Sequence, residues 1–229
     1  IHKETMIFPR YHQLDAVRKL VAHAQAHGPG RNYLVQHSAG SGKSNSIAWL
    51  AHRLSSLHDA ADNKVFDSVI VVTDRQVLDT QLQDTIYQFE HKQGVVQKID
   101  EDTRQLAQAL AGGTPIIITT LQKFPFITET LDKLRKENHP GIAIDTQDKQ
   151  FAVIVDEAHS SQSGENAMEL KGVLNAHRIE EEAAQYAAEQ GLDAQDDEDE
   201  ADPLAGVVRE MRKRGKQSNL SFFAFTATP

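Results

Sequence analysis

A chain of 229 residues, 39% hydrophobic and 25% charged, is long enough for one sizeable α/β domain with a real core. It has no cysteine, which excludes a disulfide framework and any thiolate metal site and suits a reducing cytoplasm, and no apolar run approaches the roughly 18 residues of a membrane span. The net charge of −9 is local: residues 180–202 hold eleven Asp and Glu and no Lys or Arg, so the remaining 22 acids nearly balance the 24 bases, and composition does not exclude a DNA-binding face.

Residues 9–26 carry Leu14, Val17, Leu20, Val21 and Ala24 at helical spacing, which predicts an amphipathic helix that Gly28-Pro29-Gly30 stops. Short runs rich in Val, Ile and Phe follow at 33–36, 68–73, 115–119, 151–155 and 221–225, and each of the first four leads into a loop and a helix-like stretch. The runs are apolar throughout rather than alternating, which predicts strands buried on both faces of a parallel sheet. Strand–helix alternation of this kind gives a doubly wound α/β domain of three layers, αβα, with ligands beyond the C-terminal ends of the strands. Residues 178–217 break the rhythm, being acidic at first and then basic at Arg209, Arg212, Lys213, Arg214 and Lys216. They read as an insertion with a mobile acidic loop at 190–203. The chain opens on Ile1 and closes on Pro229 directly after a strand-like run, so it is expected to be a piece of a larger protein.

The strand Tyr33-Leu34-Val35-Gln36 runs into HSAGSGKS (37–44), after which Ile47, Ala48, Leu50, Ala51 and Leu54 mark a helix from residue 46. Strand, Gly-rich loop, Lys-Ser and helix is the order a phosphate-binding loop needs. Gly40 and Gly42 permit a tight turn in which the amides of Ala39, Gly40, Ser41, Gly42, Lys43 and Ser44 face an anion, helped by the helix N-terminus. Lys43 would reach the β- and γ-phosphates of ATP, and the Ser44 hydroxyl would ligate Mg²⁺. His37 stands where the strict pattern has glycine. The blander alternative is a Gly/Ser turn that happens to precede a lysine-bearing helix.

A second signal follows the apolar run 151–155, where Asp156-Glu157-Ala158-His159 leaves the strand end. Adjacent carboxylates at such a point splay apart, so Asp156 suits a Mg²⁺ ligand and Glu157 the general base for an attacking water. His159 either links the nucleotide site to neighbouring loops or caps the turn.

Taken in order, these segments resemble the first RecA-like domain of a superfamily 2 helicase or translocase, and most of all the motor (R) subunit of type I restriction enzymes. The likeness runs from Pro9 to Pro229. Arg10-Tyr11-His12-Gln13 resembles the Q-motif region, which implies ATP contacts by Arg10 and adenine recognition by Gln13. HSAGSGKS resembles motif I, and such subunits place a His-Ser/Thr pair where generic loops have glycine. VVTDRQVLDTQL (71–82) resembles motif Ia, whose Asp-Arg implies a DNA role for Arg75. ITTLQKF (118–124) implies approach of Thr119 and Thr120 to the DNA backbone. VDEAHSSQSG (155–164) resembles motif II, with Ser160 where relatives often have Arg. FFAFTATP (222–229) resembles motif III, implying that Thr226 and Thr228 couple nucleotide state to DNA.

Each has a structural alternative: Thr119-Thr120 ends a strand, Arg75 pairs with a surface acid, and Phe222, Phe223 and Phe225 are core rather than a base-stacking platform. The resemblance implies an ATP hydrolase translocating on double-stranded DNA, beside specificity and methylation subunits. The second RecA-like domain and the nuclease domain are expected elsewhere in the full-length chain, so this piece alone is expected to bind ATP weakly and hydrolyse it poorly. Two other functions stay open: a different superfamily 2 motor, on DNA or RNA, or a nucleotide-dependent scaffold without catalysis.

Overall fold

A computed structural model describes residues 7–38, 40–73, 80–89, 94–100, 102–120, 149–156 and 218–227. Helix α1 (Tyr11–His27) opens the fold, with Val17, Val21 and Ala24 buried along one stripe, and it ends where expected, at Gly28. Strand β1 (Asn32–Gln36) leads into α2 (Lys43–Ser55), and β2 (Ser68–Thr73) is followed by α3 (Thr80–Gln88). The short β3 (Val96–Lys98), α4 (Thr103–Ala111), β4 (Ile116–Thr120), β5 (Phe151–Val155) and β6 (Leu220–Thr226) complete the described elements. Asp102 caps α4 by accepting from the Gln105 amide at 2.9 Å.

The six strands form one sheet in the order β1-β6-β5-β2-β4-β3, every pairing parallel. Alternate residues of each central strand enter opposite cores. Val69, Val71, Ile116, Ile118, Ala152, Ile154, Phe223 and Phe225 face the core that α1, α2 and α3 cover. Ile70, Val72, Ile117, Phe151, Val153 and Leu220 face a second core shared with α4. Each Val, Ile, Leu or Phe among them stabilises the fold by about 1.5–3 kcal/mol of transfer free energy, which is why strands buried on both faces have no polar alternation. The doubly wound, RecA-like αβα architecture expected from the strand–helix rhythm is the one observed.

β1 departs from the expectation of two-sided burial. It is an edge strand with Leu34 71% exposed, and only Val35 is fully buried within it. Phe223 and Phe225 are core, as their structural alternative has it, and Phe223 stacks on Tyr33 with ring centroids 4.5 Å apart. Among the described residues no helix is long and apolar enough to cross a membrane. The insertion at 178–217 and its acidic loop lie outside the described residues.

Candidate functional site

Parallel strands deliver their C-terminal ends to one edge of the sheet, and the chemistry-bearing residues collect there. β1 ends at Gln36, paired in register with Thr226 at the end of β6, and the His37 amide continues the ladder by donating to the Thr226 carbonyl at 3.0 Å. Val155 is registered with Ala224 and with Val72, so Asp156 leaves the sheet two strands from the loop, its amide donating to the Val72 carbonyl at 3.1 Å. Two inter-strand spacings amount to roughly 10 Å, room for phosphate oxygens and a hydrated cation between loop and carboxylate.

Gly42 is the N-cap of α2 at φ +81°, so the helix starts at Lys43, three residues earlier than the apolar spacing suggests. Lys43 and Ser44 therefore occupy the first turn, where amides lack intrahelical partners and the helix dipole is positive. Gly40 also has positive φ, +74°, and a Cβ built there meets nothing within 4 Å. The loop mouth is open at that point. Ser41 donates its amide to the Ser38 carbonyl at 3.2 Å, closing the turn between them.

The N-terminus of α1 holds this loop. Gln13, 3% exposed, donates from Nε2 to the Ser41 and Gly42 carbonyls, both at 3.0 Å, while its Oε1 accepts from the Arg10 amide at 2.8 Å. Only this orientation of the amide satisfies all three partners. The side chain expected to read adenine is here turned onto the loop at 37–44. Arg10 lies at the rim, lining with His12, Gln36, His37, Ser38, Gly40 and Ser41 a cleft of about 410 Å³.

His12 had no role in the sequence reading, yet its Nε2 lies 3.2 Å from the Ser41 carbonyl and its ring meets that of His37 edge-on, with centroids 5.1 Å apart. Burial first, then the charges of His12 and Lys43, hold the His37 imidazole below its ordinary value, so the neutral ring is favoured. Among the described residues, His37 Nδ1 and Ser41 Oγ are buried without a protein hydrogen-bond partner. Native structures satisfy nearly all such atoms, so two on one loop leave polar capacity there that a bound anion or water could use.

Gly42 is conformationally required, and a Cβ at that position would push the end of the Gln13 side chain off its bonds to the loop. Gly42→Ala is expected to cost about 3 kcal/mol, combining left-handed strain of about 1 kcal/mol with the loss of Gln13 bonds at about 1 kcal/mol each. Gly40→Ala meets no protein atom and should cost only the strain, about 1 kcal/mol. Chemical denaturation without nucleotide measures both, and equal losses would contradict the Gln13 clamp.

Thr226 is buried beside the loop, but Thr119 and Thr120 end β4 at 0% and 5% exposure, matching the strand-ending alternative. Ala39, Arg75, Glu157, His159, Ser160 and Thr228 lie outside the described residues. The contacts the sequence did not reveal are those of His12 and Gln13 with residue 41, about thirty positions away. No spacing rule signals them.

A family model described as SWI2/SNF2 ATPase matches residues 12–180. The type I restriction enzyme HindI endonuclease subunit of Haemophilus influenzae is 32% identical over 165 residues, 67% of this chain and 14% of that protein. A Mycoplasma pneumoniae protein assigned as the C-terminal part of the type I restriction enzyme MpnIIP endonuclease subunit is 31% identical over 139 residues, covering 59% of this chain and 60% of that one. The chain thus spans less than two thirds of either relative. Among solved structures, the UvsW helicase from bacteriophage T4 aligns at 13% identity with a TM-score of 0.47, over 99% of this chain and 55% of that one.

Proposed function

The chain belongs to the SWI2/SNF2 ATPase family, and from that premise we propose that it is the ATP-hydrolysing motor domain of a type I restriction endonuclease R subunit. On this reading the larger protein draws duplex DNA past itself ahead of cleavage. The observation that carries it is the placement of a helix-capped phosphate loop and Asp156 two strands apart on one sheet edge. Two relatives are restriction endonuclease subunits, which favours restriction over other superfamily 2 motors.

The residues fit Mg·ATP. Gly40 leaves open space at the loop mouth, and Ser41 Oγ and His37 Nδ1 await partners there. Lys43 and the amides of residues 39–44 bind the phosphates, and the Ser44 hydroxyl and Asp156 carboxylate hold Mg²⁺. Held there, Mg²⁺ would supply neutralisation of charge on the phosphoryl oxygens. Glu157 takes the proton of the attacking water, and His159 relays the state of this site to neighbouring loops.

The whole of 1–229 is proposed as the first RecA-like domain, with an insertion at 178–217, in a larger cytoplasmic protein. The second RecA-like domain would close over ATP with an arginine, an effect worth about 10³–10⁵ in rate for related phosphoryl transfers. Without it this piece turns over slowly. Grip on duplex DNA would run through phosphates rather than bases, with Arg75, Thr226 and Thr228 near the coupling path. Thr119 and Thr120 join that path only if the buried end of β4 opens. Specificity and methylation subunits, and a nuclease domain of the same chain, complete the proposed assembly.

Phosphate release by the full-length protein, with and without duplex DNA, tests the reading. Duplex DNA should raise the rate at least about tenfold and lose that effect as salt rises. No release under either condition would leave a nucleotide-dependent scaffold in its place.

A further inference from the structure

We propose that His12 is a positioning residue of the phosphate loop, holding the Ser41–Gly42 peptide so that the Gly42 amide faces the nucleotide phosphates. The inference rests on the reading of residues 37–44 as an ATP site. It begins with the Ser41 carbonyl, which accepts two hydrogen bonds, one from Gln13 Nε2 at 3.0 Å and one from His12 Nε2 at 3.2 Å. A carbonyl oxygen only accepts, so the His12 nitrogen facing it carries a proton.

No cis peptide occurs among the described residues. In a trans peptide the carbonyl and the following amide point in opposite directions. Each donor that draws the Ser41 oxygen toward α1 therefore turns the Gly42 N–H away from α1. Gln13 alone divides its two N–H groups between the Ser41 and Gly42 carbonyls, giving each a single bond. His12 supplies the second bond to Ser41. Its ring is braced in turn by His37, which meets it edge-on at an interplanar angle of 88°. Since His37 follows β1 and Ser41 precedes α2, His12 ties the entry of the loop to its crest.

The test is equilibrium binding of fluorescent ATP and ADP analogues to the full-length protein, with melting temperatures measured without nucleotide. His12→Phe keeps a planar ring and removes the donor. It should weaken both analogues about 3- to 10-fold, the loss expected for one hydrogen bond, at nearly unchanged melting temperature. His12→Gln, whose amide nitrogen reaches about as far as Nε2, should restore affinity to within about twofold of the parent protein. His12→Asn, one methylene too short, should bind as weakly as His12→Phe and replaces it if the phenylalanine variant does not fold.

A merely structural side chain gives another pattern, in which all three variants lower the melting temperature and glutamine rescues nothing. That pattern overturns the proposal, as does parental affinity in both donor-lacking variants. Lys43→Ala in the same series separates the two ideas. Binding that survives it refutes the ATP-site reading itself, whereas binding lost there but retained without a His12 donor refutes only the role of His12.

Discussion

Replacing Lys43 with alanine in the full-length protein is expected to lower ATP turnover by on the order of 10²–10³, the loss seen when one preorganised donor to a developing charge is removed. Lys43 is the first residue of α2, directly after the Gly42 cap, so its ammonium starts from the positive end of a helix at the loop mouth. On the proposed reading, a cation there would act on phosphoryl oxygens whose charge rises in the transition state. The fold should survive, because alanine is the best helix former and the side chain belongs to neither core.

Two measurements separate chemistry from folding. Saturating nucleotide should stabilise the parent protein by about 2.7 kcal/mol at a hundredfold excess over Kd, and that increment should shrink in the variant. The melting temperature without nucleotide should stay nearly constant. Unchanged turnover in Lys43→Ala would remove the phosphate loop from the mechanism.

Much of this site was legible in the sequence because its parts are local. Val69–Val72, Ile116–Ile118 and Phe151–Ile154 announce strands through unbroken apolar runs, and those runs are what two-sided burial demands. The loop and the Asp156 strand end follow from short motifs in known structural context. β3 escaped because it is three residues long and contributes only Val96 to the core, with Gln97 and Lys98 half-buried at the sheet edge. Apolar spacing, which begins at Ile47, places the start of α2 at residue 46, whereas a left-handed glycine cap lets the helix begin at Lys43, three residues earlier.

Sheet order was illegible for a different reason. β6 lies last in the chain yet inserts between β1 and β5, a non-local pairing that no window of local periodicity encodes. This insertion sets the separation between the loop at 37–44 and Asp156 and places Thr226 between them. The hydrogen bonds that fix the loop are non-local too. Gln13 was singled out by resemblance for a base contact, and only the packed structure shows its amide committed to Ser41 and Gly42.

Glu157→Gln is expected to separate binding from hydrolysis. Asp156 leaves β5 with its amide donating to the Val72 carbonyl, so residue 156 is anchored to the sheet. Glutamine preserves the size and most of the hydrogen bonding of glutamate but cannot accept a proton from water. If Glu157 is the general base, its loss should slow phosphate release by about 10²–10⁴, the usual worth of such catalysis, while the Kd for ATP stays within about threefold. The phosphate contacts proposed for Lys43 and the loop amides would not depend on that carboxylate, so ATP should accumulate intact on the variant and remain detectable after rapid filtration. Parallel loss of binding and turnover would instead make Glu157 a metal ligand or a structural residue, and the base would have to be sought elsewhere along the same sheet edge.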